Sequence, residues 1–158
     1  GSLMAISDHI NWSGYNPLIG KNQDEYGPRF HDMSDGYHKF YRDQLLGIAN
    51  KTNQQIFEGI YCMYSGPNFE TPAEINALKV IGGNAVGMST VPEVLVANHC
   101  NLPVIAISVI TNLAAGMNKT KLSHKETLEN ASLAENNILQ LIKNFITEVT
   151  FDDSTGNN

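Results

Sequence analysis

The sequence predicts a three-layer α/β fold in which a mixed or mainly parallel sheet is flanked by helices. Short apolar runs alternate with stretches of helical periodicity along the chain. One of these runs, residues 104–110, is almost wholly apolar, as expected of a strand that is buried on both faces. Three Ser/Thr-x-x-Glu sequences follow apolar runs, and this is the pattern of a helix N-terminus.

The composition is that of one globular domain, which we assign to residues 1–150, with a disordered tail predicted over residues 151–158. The 158 residues are 42% hydrophobic and 16% charged. A formal net charge of −6 without a basic stripe argues against nucleic-acid binding. No apolar run reaches the ~20 residues of a membrane span. Cys62 and Cys100 are interpreted as buried thiols of a reducing compartment, so a cytoplasmic location is expected.

The first strand is predicted over residues 3–7, and a loop follows over residues 12–33. The loop is rich in Gly, Pro and Asn, and its length is typical of a functional or interfacial segment. Ser34-Asp35 is predicted to cap the first helix, in which apolar residues recur at helical spacing from Tyr37 to Ile48. The loop also carries aromatic residues of the kind that contact ligands or partners: Trp12, Tyr15, Tyr26 and Phe30.

The second strand, residues 56–64, leads into the stretch on which the functional interpretation depends. Gly66-Pro67 ends regular structure, and Thr71-Pro72-Ala73-Glu74 has the features of a capped helix start. Phe69 and Glu70 therefore lie on a turn at the carboxyl end of a strand, where open α/β sheets bind ligands. Glu70 can bind a flat ligand that donates N–H groups, or it can be a charge near a helix N-terminus, and the residues alone leave both open.

Two more strands and three helices are predicted downstream. The helix after the stretch ends at the C-cap signal Gly82-Gly83, and residues 84–89 form a very short strand. Thr90-Val91-Pro92-Glu93 repeats the capping pattern and opens a helix that runs to about Cys100. Ser123-His124-Lys125-Glu126 opens the longest helix. In the helix that begins at Pro72, the residues predicted to face inwards are Ile75, Leu78 and Ile81.

Residues with polar or soft side chains follow the predicted strands, and we expect them along one edge of the sheet. Each also has an ordinary structural interpretation, such as a core filler for Met88 or a turn residue for Asn112. No metal-ligand spacing, phosphate-binding glycine loop or nucleophile elbow occurs in the sequence. The residues are Phe69, Glu70, Met88, Ser89, Thr111, Asn112 and His124.

Six ordered segments are more specific than any of these features. They are Ser7-Asp8-His9-Ile10-Asn11, Asn16-Pro17-Leu18, Pro28-Arg29-Phe30 with Met33-Ser34-Asp35, Gly66-Pro67-Asn68-Phe69-Glu70-Thr71, Gly87-Met88-Ser89-Thr90-Val91-Pro92-Glu93 and Ile110-Thr111-Asn112. Together they closely resemble the C-terminal half of the trimeric purine nucleoside phosphorylases, over residues 3 to about 148. Leu113-Ala114-Ala115-Gly116, followed by Leu122-Ser123-His124, resembles the bacterial branch, which is specific for 6-oxopurines.

The resemblance implies a pentosyltransferase of purine salvage that splits a purine nucleoside with orthophosphate into base and ribose 1-phosphate. Glu70 is implied to accept a hydrogen bond from N1–H of the purine. Asn112 is implied to bond O6 and N7 and to stabilise the negative charge on the departing base. The other implied contacts are Phe69, Val86, Met88 and Thr111 at the nucleoside, Tyr61 at the ribose, His124 at the 5′-hydroxyl, Ser89 at phosphate, and Phe30 across a subunit interface.

The implied chemistry needs no metal or organic cofactor, and the implied assembly is a homotrimer. An Asn at position 112 suits a 6-oxopurine, whereas an Asp would suit a 6-amino base. The sequence therefore predicts inosine and guanosine as substrates over adenosine, with a xanthosine-preferring enzyme as the alternative.

Complete members of the family are nearly twice as long, and their N-terminal half supplies most of the phosphate site. Its Gly-rich loop, Arg and His motifs are absent here, and one hydroxyl, that of Ser89, cannot position a phosphate dianion. Two hypotheses follow. The chain is the C-terminal portion of a phosphorylase that acts with the missing half, or it is a catalytically incompetent fragment that binds purine or only assembles.

Overall fold

The computed structural model describes residues 1–117 and 123–151. Strands and helices alternate along this part of the chain, which confirms the predicted α/β class. The bounds in chain order are β1 (Ser2–Asn11), α1 (Lys39–Lys51), β2 (Ile56–Met63), α2 (Pro72–Val80), β3 (Ala85–Gly87), α3 (Val91–His99), β4 (Ile107–Ile110) and α4 (His124–Glu148).

The strands form one curled, mixed sheet in the order β3-β2-β1-β4. β1, β2 and β3 are parallel, so Asn11 pairs with Met63 and Met63 pairs with Gly87 at their carboxyl ends. β4 is antiparallel to β1, and Ile110 pairs with Ser2. The carboxyl end of β4 therefore lies at the opposite edge from those of β2 and β3. The expectation that all the strand-end residues share one edge is wrong for Thr111 and Asn112.

β1 is longer than predicted because its polar end still pairs with β2. Asp8 pairs with Ile60 and His9 with Tyr61, after a register shift between Ile6 and Asp8. The residue at the shift, Ser7, donates its hydroxyl to the Gly59 carbonyl at 3.2 Å. β4 is shorter than the predicted run, because residues 104–106 lie outside the ladder.

The core occupies both faces of the sheet. Alternate β1 side chains point to opposite faces, so Leu3 and Ala5 pack towards α1 and α4 while Met4 and Ile6 pack towards α3. This two-sided burial explains why the strand is a continuous apolar run. A third, smaller cluster joins β2 to α2 and consists of Cys62, Ile75 and Leu78.

The first helix begins later than predicted. Ser34-Asp35 does not directly precede it, because Gly36 to His38 form a non-helical turn and His38 donates its amide to the Val104 carbonyl at 2.7 Å. This bond draws the segment towards the chain before β4. Asp35 still caps the helix at a distance, since its carboxylate accepts the Lys39 amide at 2.9 Å.

The loop over residues 12–33 contains neither helix nor strand, as predicted. Its inner side is attached to α3, where the buried His99 lies 3.1 Å from the Asn22 side-chain oxygen. Gly27 packs directly on the His99 carbonyl and leaves no room for a Cβ. Its aromatic residues face outwards, and Phe30 is 90% exposed.

Some predictions need correction or lie outside the described residues. Cys62 is fully buried, but Cys100 is only partly so, and both are free thiols. Ile81 is 44% exposed and is not an inward position of α2. The segment after Asn112 is described as far as Met117, and the predicted tail lies outside the described residues apart from Phe151. No helix within residues 1–117 and 123–151 is long and apolar enough to cross a membrane.

Candidate active site

A cavity of about 470 Å³ opens between α2, β3, β4 and the segment that follows β4. Its volume is in the range of sites that bind small molecules. Although β4 is antiparallel, the curled sheet brings the residues after it to the same cavity as the turn before α2. Six of the predicted site residues line the cavity: Phe69, Glu70, Val86, Met88, Thr111 and Asn112.

Glu70 is the buried carboxylate of the cavity. It is only 7% exposed, and none of the described residues forms a hydrogen bond or ion pair with its side chain. It lies one residue before the N-cap of α2, where the helix dipole favours a negative charge. A glutamate that is so largely removed from solvent needs hydrogen-bond donors for its carboxylate oxygens. Glu70 is therefore available to accept hydrogen bonds from a ligand.

The turn that carries Glu70 is held by a complete capping box. Thr71 accepts the Glu74 amide at 3.2 Å through its hydroxyl, and Glu74 accepts the Thr71 amide at 2.7 Å through its carboxylate. These bonds satisfy two backbone donors that a helix start leaves free. They also hold the pKa of the Glu74 carboxyl below its usual value, chiefly through the Thr71 amide. The predicted cap of α2 is confirmed.

The prediction that Thr90 caps α3 through its side chain is wrong. Thr90 has a φ of +75° and a ψ of −50°, and its side chain makes no capping bond. The Val91 amide instead donates to the Ser89 carbonyl at 2.8 Å, which closes a γ-turn around Thr90. A β-branched residue rarely adopts this conformation, which stores strain next to the cavity.

The Asn112 carboxamide is held at the cavity wall by its neighbours. Its Oδ1 accepts the Thr111 hydroxyl at 2.7 Å, and its Nδ2 donates to the Leu113 carbonyl at 3.2 Å. Within the described residues, the second Nδ2 hydrogen makes no hydrogen bond and is left for a ligand. The arrangement can donate a hydrogen bond to an electronegative ring atom or to an exocyclic oxygen.

Tyr61, on β2, and Ser89, which follows β3, both lie outside the cavity lining. The Tyr61 ring is buried in the core, and its hydroxyl accepts the Ser89 amide at 3.4 Å. The same hydroxyl packs against Gly87, and a Cβ at that position would collide with it. The Ser89 hydroxyl is exposed, 3.2 Å from that of Thr90. The ribose role of Tyr61 and the phosphate role of Ser89 stay predictions.

His124 and Phe30 also lie outside the cavity lining. His124 is the exposed first residue of α4, and Phe30 stands on the outer side of the loop. Phe30 makes no described contact that places it at the cavity of its own chain. An exposed position is compatible with the predicted reach into a neighbouring subunit, which stays a prediction like the role of His124.

Met88 approaches the turn before α2 more closely than the sequence suggests. Its sulfur packs on Gly66, where a Cβ would collide with it. Gly66 also has a φ of +62°, which other residues rarely adopt. Gly66 is therefore the residue that lets the turn before α2 and the end of β3 border one cavity.

Sequence reasoning missed several residues of the cavity lining. Thr127 lies on α4, and its hydroxyl is 3.5 Å from the Asn112 Oδ1. The only sequence signal for Thr127 was its position three residues after the predicted site residue His124, on the same side of the helix. Lys79 contributes a cation from the last turn of α2. Cys62 lies at the floor, where burial raises the pKa of its thiol and favours the neutral form. Within the described ranges, no group of three His, Cys, Asp or Glu side chains could hold a metal ion.

Comparisons with known proteins agree with this fold. Residues 1–147 match the family model described as "Phosphorylase superfamily". Purine nucleoside phosphorylase 1 of Geobacillus stearothermophilus is 48% identical over 143 residues, which are 90% of this chain and 52% of that protein. The enzyme of the same name from Bacillus subtilis is 46% identical, over 94% of this chain and 55% of that protein.

Solved structures agree as well. Purine nucleoside phosphorylase of Schistosoma mansoni in complex with adenosine has a TM-score of 0.91 at 32% identity, over 96% of this chain and 57% of that one. Isoform 2 from the same organism, in complex with cytosine and ribose-1-phosphate, has a TM-score of 0.90 at 37% identity, over 96% and 56%. The chain thus belongs to the phosphorylase superfamily and, within it, to the purine nucleoside phosphorylase family. It spans about half the length of the curated relatives it matches.

Proposed function

We propose that this chain forms the base-binding side of a purine nucleoside phosphorylase. The substrates would be 6-oxopurine ribonucleosides and deoxyribonucleosides such as inosine and guanosine, with orthophosphate as co-substrate. The products would be the free base and (deoxy)ribose 1-phosphate. The observation that carries the proposal is the pairing, in one cavity, of Glu70 and Asn112. Glu70 is a buried glutamate whose side chain makes no hydrogen bond or ion pair within residues 1–117 and 123–151, and Asn112 is an oriented carboxamide.

The two groups match the two sides of a 6-oxopurine. Glu70 has free acceptor atoms for the N1–H of the base, and for a 2-amino group where one is present. Asn112 has a second amide hydrogen, without an acceptor in the part of the chain that the structure describes, for O6 or N7. These are the atoms on which negative charge grows as the glycosidic bond breaks. A donor that is fixed in place before the reaction stabilises that charge in the transition state more than in the ground state.

The cavity offers apolar surfaces for the rest of the base. Phe69 and Val86 line it together with Met88, whose thioether adapts to the shape of a bound ring. The chemistry requires charge stabilisation and orientation, so we propose a reaction without a metal or organic cofactor. Ser89 would contribute a hydroxyl to phosphate, and Phe30 would cover the ribose site of a neighbouring subunit in a homotrimer in the cytoplasm.

The test is purine binding to the 158-residue chain, followed by turnover. Hypoxanthine and adenine are titrated by calorimetry, and inosine with phosphate is then assayed for release of hypoxanthine. We expect hypoxanthine to bind more tightly than adenine. Absence of hypoxanthine binding, or a preference for adenine, would contradict the proposal. Xanthine as a third ligand distinguishes a xanthosine-preferring enzyme.

A second candidate function is a purine-binding chain without turnover. It is favoured by the cavity lining, which includes Glu70 and Asn112 but not Ser89, the predicted phosphate ligand. Binding of hypoxanthine without phosphorolysis by the chain alone would support it. Turnover of inosine above background by the chain alone would exclude it.

A further inference from the structure

The Asn112 carboxamide is anchored by hydrogen bonds that begin on α4. Asn130 donates its side-chain amide to the Thr111 carbonyl at 2.7 Å. Thr111 in turn donates its hydroxyl to the Asn112 Oδ1 at 2.7 Å, and the Thr127 hydroxyl lies 3.5 Å from the same oxygen. Thr127 and Asn130 are both half-buried, and they lie three residues apart on neighbouring turns of the helix.

The direction of a carboxamide determines what it offers to a ligand. An Asn side chain presents hydrogen-bond donors in one orientation and an acceptor in the other, and the two have nearly the same shape. At Asn112 the Leu113 carbonyl can only accept, so it holds the NH₂ group, while two hydroxyl groups surround the oxygen. A turned amide would place its oxygen against the Leu113 carbonyl.

The position of these groups depends on α4. Asn130 fixes the Thr111 carbonyl and therefore the backbone that carries both the Thr111 hydroxyl and the Leu113 carbonyl. Thr127 adds a second hydroxyl next to the Asn112 oxygen and lines the cavity itself. Its hydroxyl also lies 3.2 Å from the Ser123 carbonyl, so its single proton can serve either acceptor.

We propose that Thr127 and Asn130 are positioning residues, which hold the Asn112 amide with a hydrogen towards the cavity and thereby set the preference for 6-oxopurines over 6-aminopurines. The inference rests on the proposed function, because it takes the cavity to be a purine site. A fixed donor suits an exocyclic oxygen and leaves a 6-amino group unpaired, which a buried site strongly disfavours. When the anchor is lost, the amide can turn and present its oxygen to the amino group.

The test compares variants that remove one anchor each without changing the shape of the side chain. Thr127→Val removes the hydroxyl, and Asn130→Asp removes the amide donor. Thr127→Ser restores the hydroxyl and should restore the wild-type behaviour. Thr147→Val and Asn144→Asp are the matched controls, because they make the same changes on the same helix about 30 and 20 Å further along its axis.

The measurement is the ratio of the dissociation constants of adenine and hypoxanthine for the 158-residue chain. We expect Thr127→Val and Asn130→Asp to lower this ratio about tenfold, which corresponds to about 1.4 kcal/mol of discrimination. The two controls and Thr127→Ser should keep the wild-type ratio. If circular dichroism shows that one of the two variants does not fold, the ratio measured for the other variant tests the inference.

Two results would overturn the inference, and they are distinguishable from a failure of the proposed function. Wild-type ratios in the folded variants would exclude a positioning role. Equal losses of both affinities would indicate that the two residues only support the structure. If the wild-type chain binds no hypoxanthine, the proposed function fails, and the inference fails with it.

Discussion

Two strand-to-helix connections border the cavity, and similar sequences give them different structures. Both place Thr and Glu three residues apart with a Pro between, at Thr71–Glu74 and at Thr90–Glu93. Before α2 the Thr backbone is extended and the capping box forms. Before α3 the Thr is the centre of a γ-turn, and no box forms.

The difference follows from the length of the connections. Residues 64–71 join β2 to α2, and this segment is long enough to let Thr71 adopt the extended conformation that an N-cap requires. Only residues 88–90 join β3 to α3, so the chain must turn sharply, and Thr90 takes up the strain. A capping pattern predicts a helix start, but it does not fix the backbone before it.

The largest expected effect is a loss of ligand affinity when Glu70, in the connection before α2, is substituted. Glu70→Gln removes the charge that would accept the N1–H of the base, and a hydrogen bond to a charged group contributes about 1.5–3 kcal/mol. We expect hypoxanthine affinity to fall between about tenfold and a hundredfold, as measured by calorimetry. Glu93→Gln, which changes an exposed glutamate at the other connection, is the control and should leave this affinity within about twofold. Equal losses in the two variants would refute a direct contact by Glu70.

The next effect concerns stability at the same connection. Thr71→Ala deletes the hydroxyl that accepts the Glu74 amide. Loss of an N-cap typically costs about 1 kcal/mol, so the melting temperature should fall by about 2–4 °C. Thr147→Val, which alters an exposed hydroxyl of α4, should lower the melting temperature by less. A melting temperature of Thr71→Ala equal to the wild-type value would show that the box contributes little to stability.

At the connection before α3, a substitution that relieves strain should instead increase the stability of the fold. Thr90→Gly relieves the positive φ, and the gain is partly offset by the greater freedom of glycine in the unfolded chain. We expect a net increase of about 0.5–1 kcal/mol in the free energy of unfolding, measured by urea denaturation. Asn101→Gly should gain less, because its φ of +56° suits asparagine. A lower stability of Thr90→Gly would disprove stored strain.

The smallest effect is a pH dependence confined to the capping box. The folded-state pKa of Glu74 lies below its ordinary value of 4.5, so its contribution is fully present above that value and is lost as the pH falls through the folded-state pKa. Melting temperatures between pH 3 and pH 6 should therefore decline less in Glu74→Gln than in the wild-type chain. Glu93→Gln, at the connection without a box, is the matched control. Identical profiles for the two variants would contradict the assignment.

Patterns among residues that are close in sequence were sufficient to predict much of the fold and one wall of the cavity. The order of the elements, the capping box at Thr71 and the turn that carries Phe69 and Glu70 all follow from residues that are close in sequence. The family resemblance of short segments indicated Asn112 as a second site residue. Both Glu70 and Asn112 line the same cavity.

What the sequence did not reveal depends on contacts between distant segments. The antiparallel direction of β4 follows from its pairing with β1, which no local pattern encodes. Asp8 and His9 look like the end of a strand, yet β2 continues to pair with them. The anchoring of Asn112 through Asn130 joins residues eighteen positions apart, and an Asn on a helix gives no sign of such a role.

The close packing of Gly87 on the Tyr61 hydroxyl makes β3 a rigid spacer. The hydroxyl supports Gly87 and also accepts the Ser89 amide, while Met88, between them, faces the cavity. A single added methyl group at Gly87 would collide with this hydroxyl, so the cavity-lining Met88 and the exposed Ser89 would shift together. The side chains of Met88 and Ser89 can therefore be substituted one at a time, whereas a side chain at Gly87 would change the position of both residues.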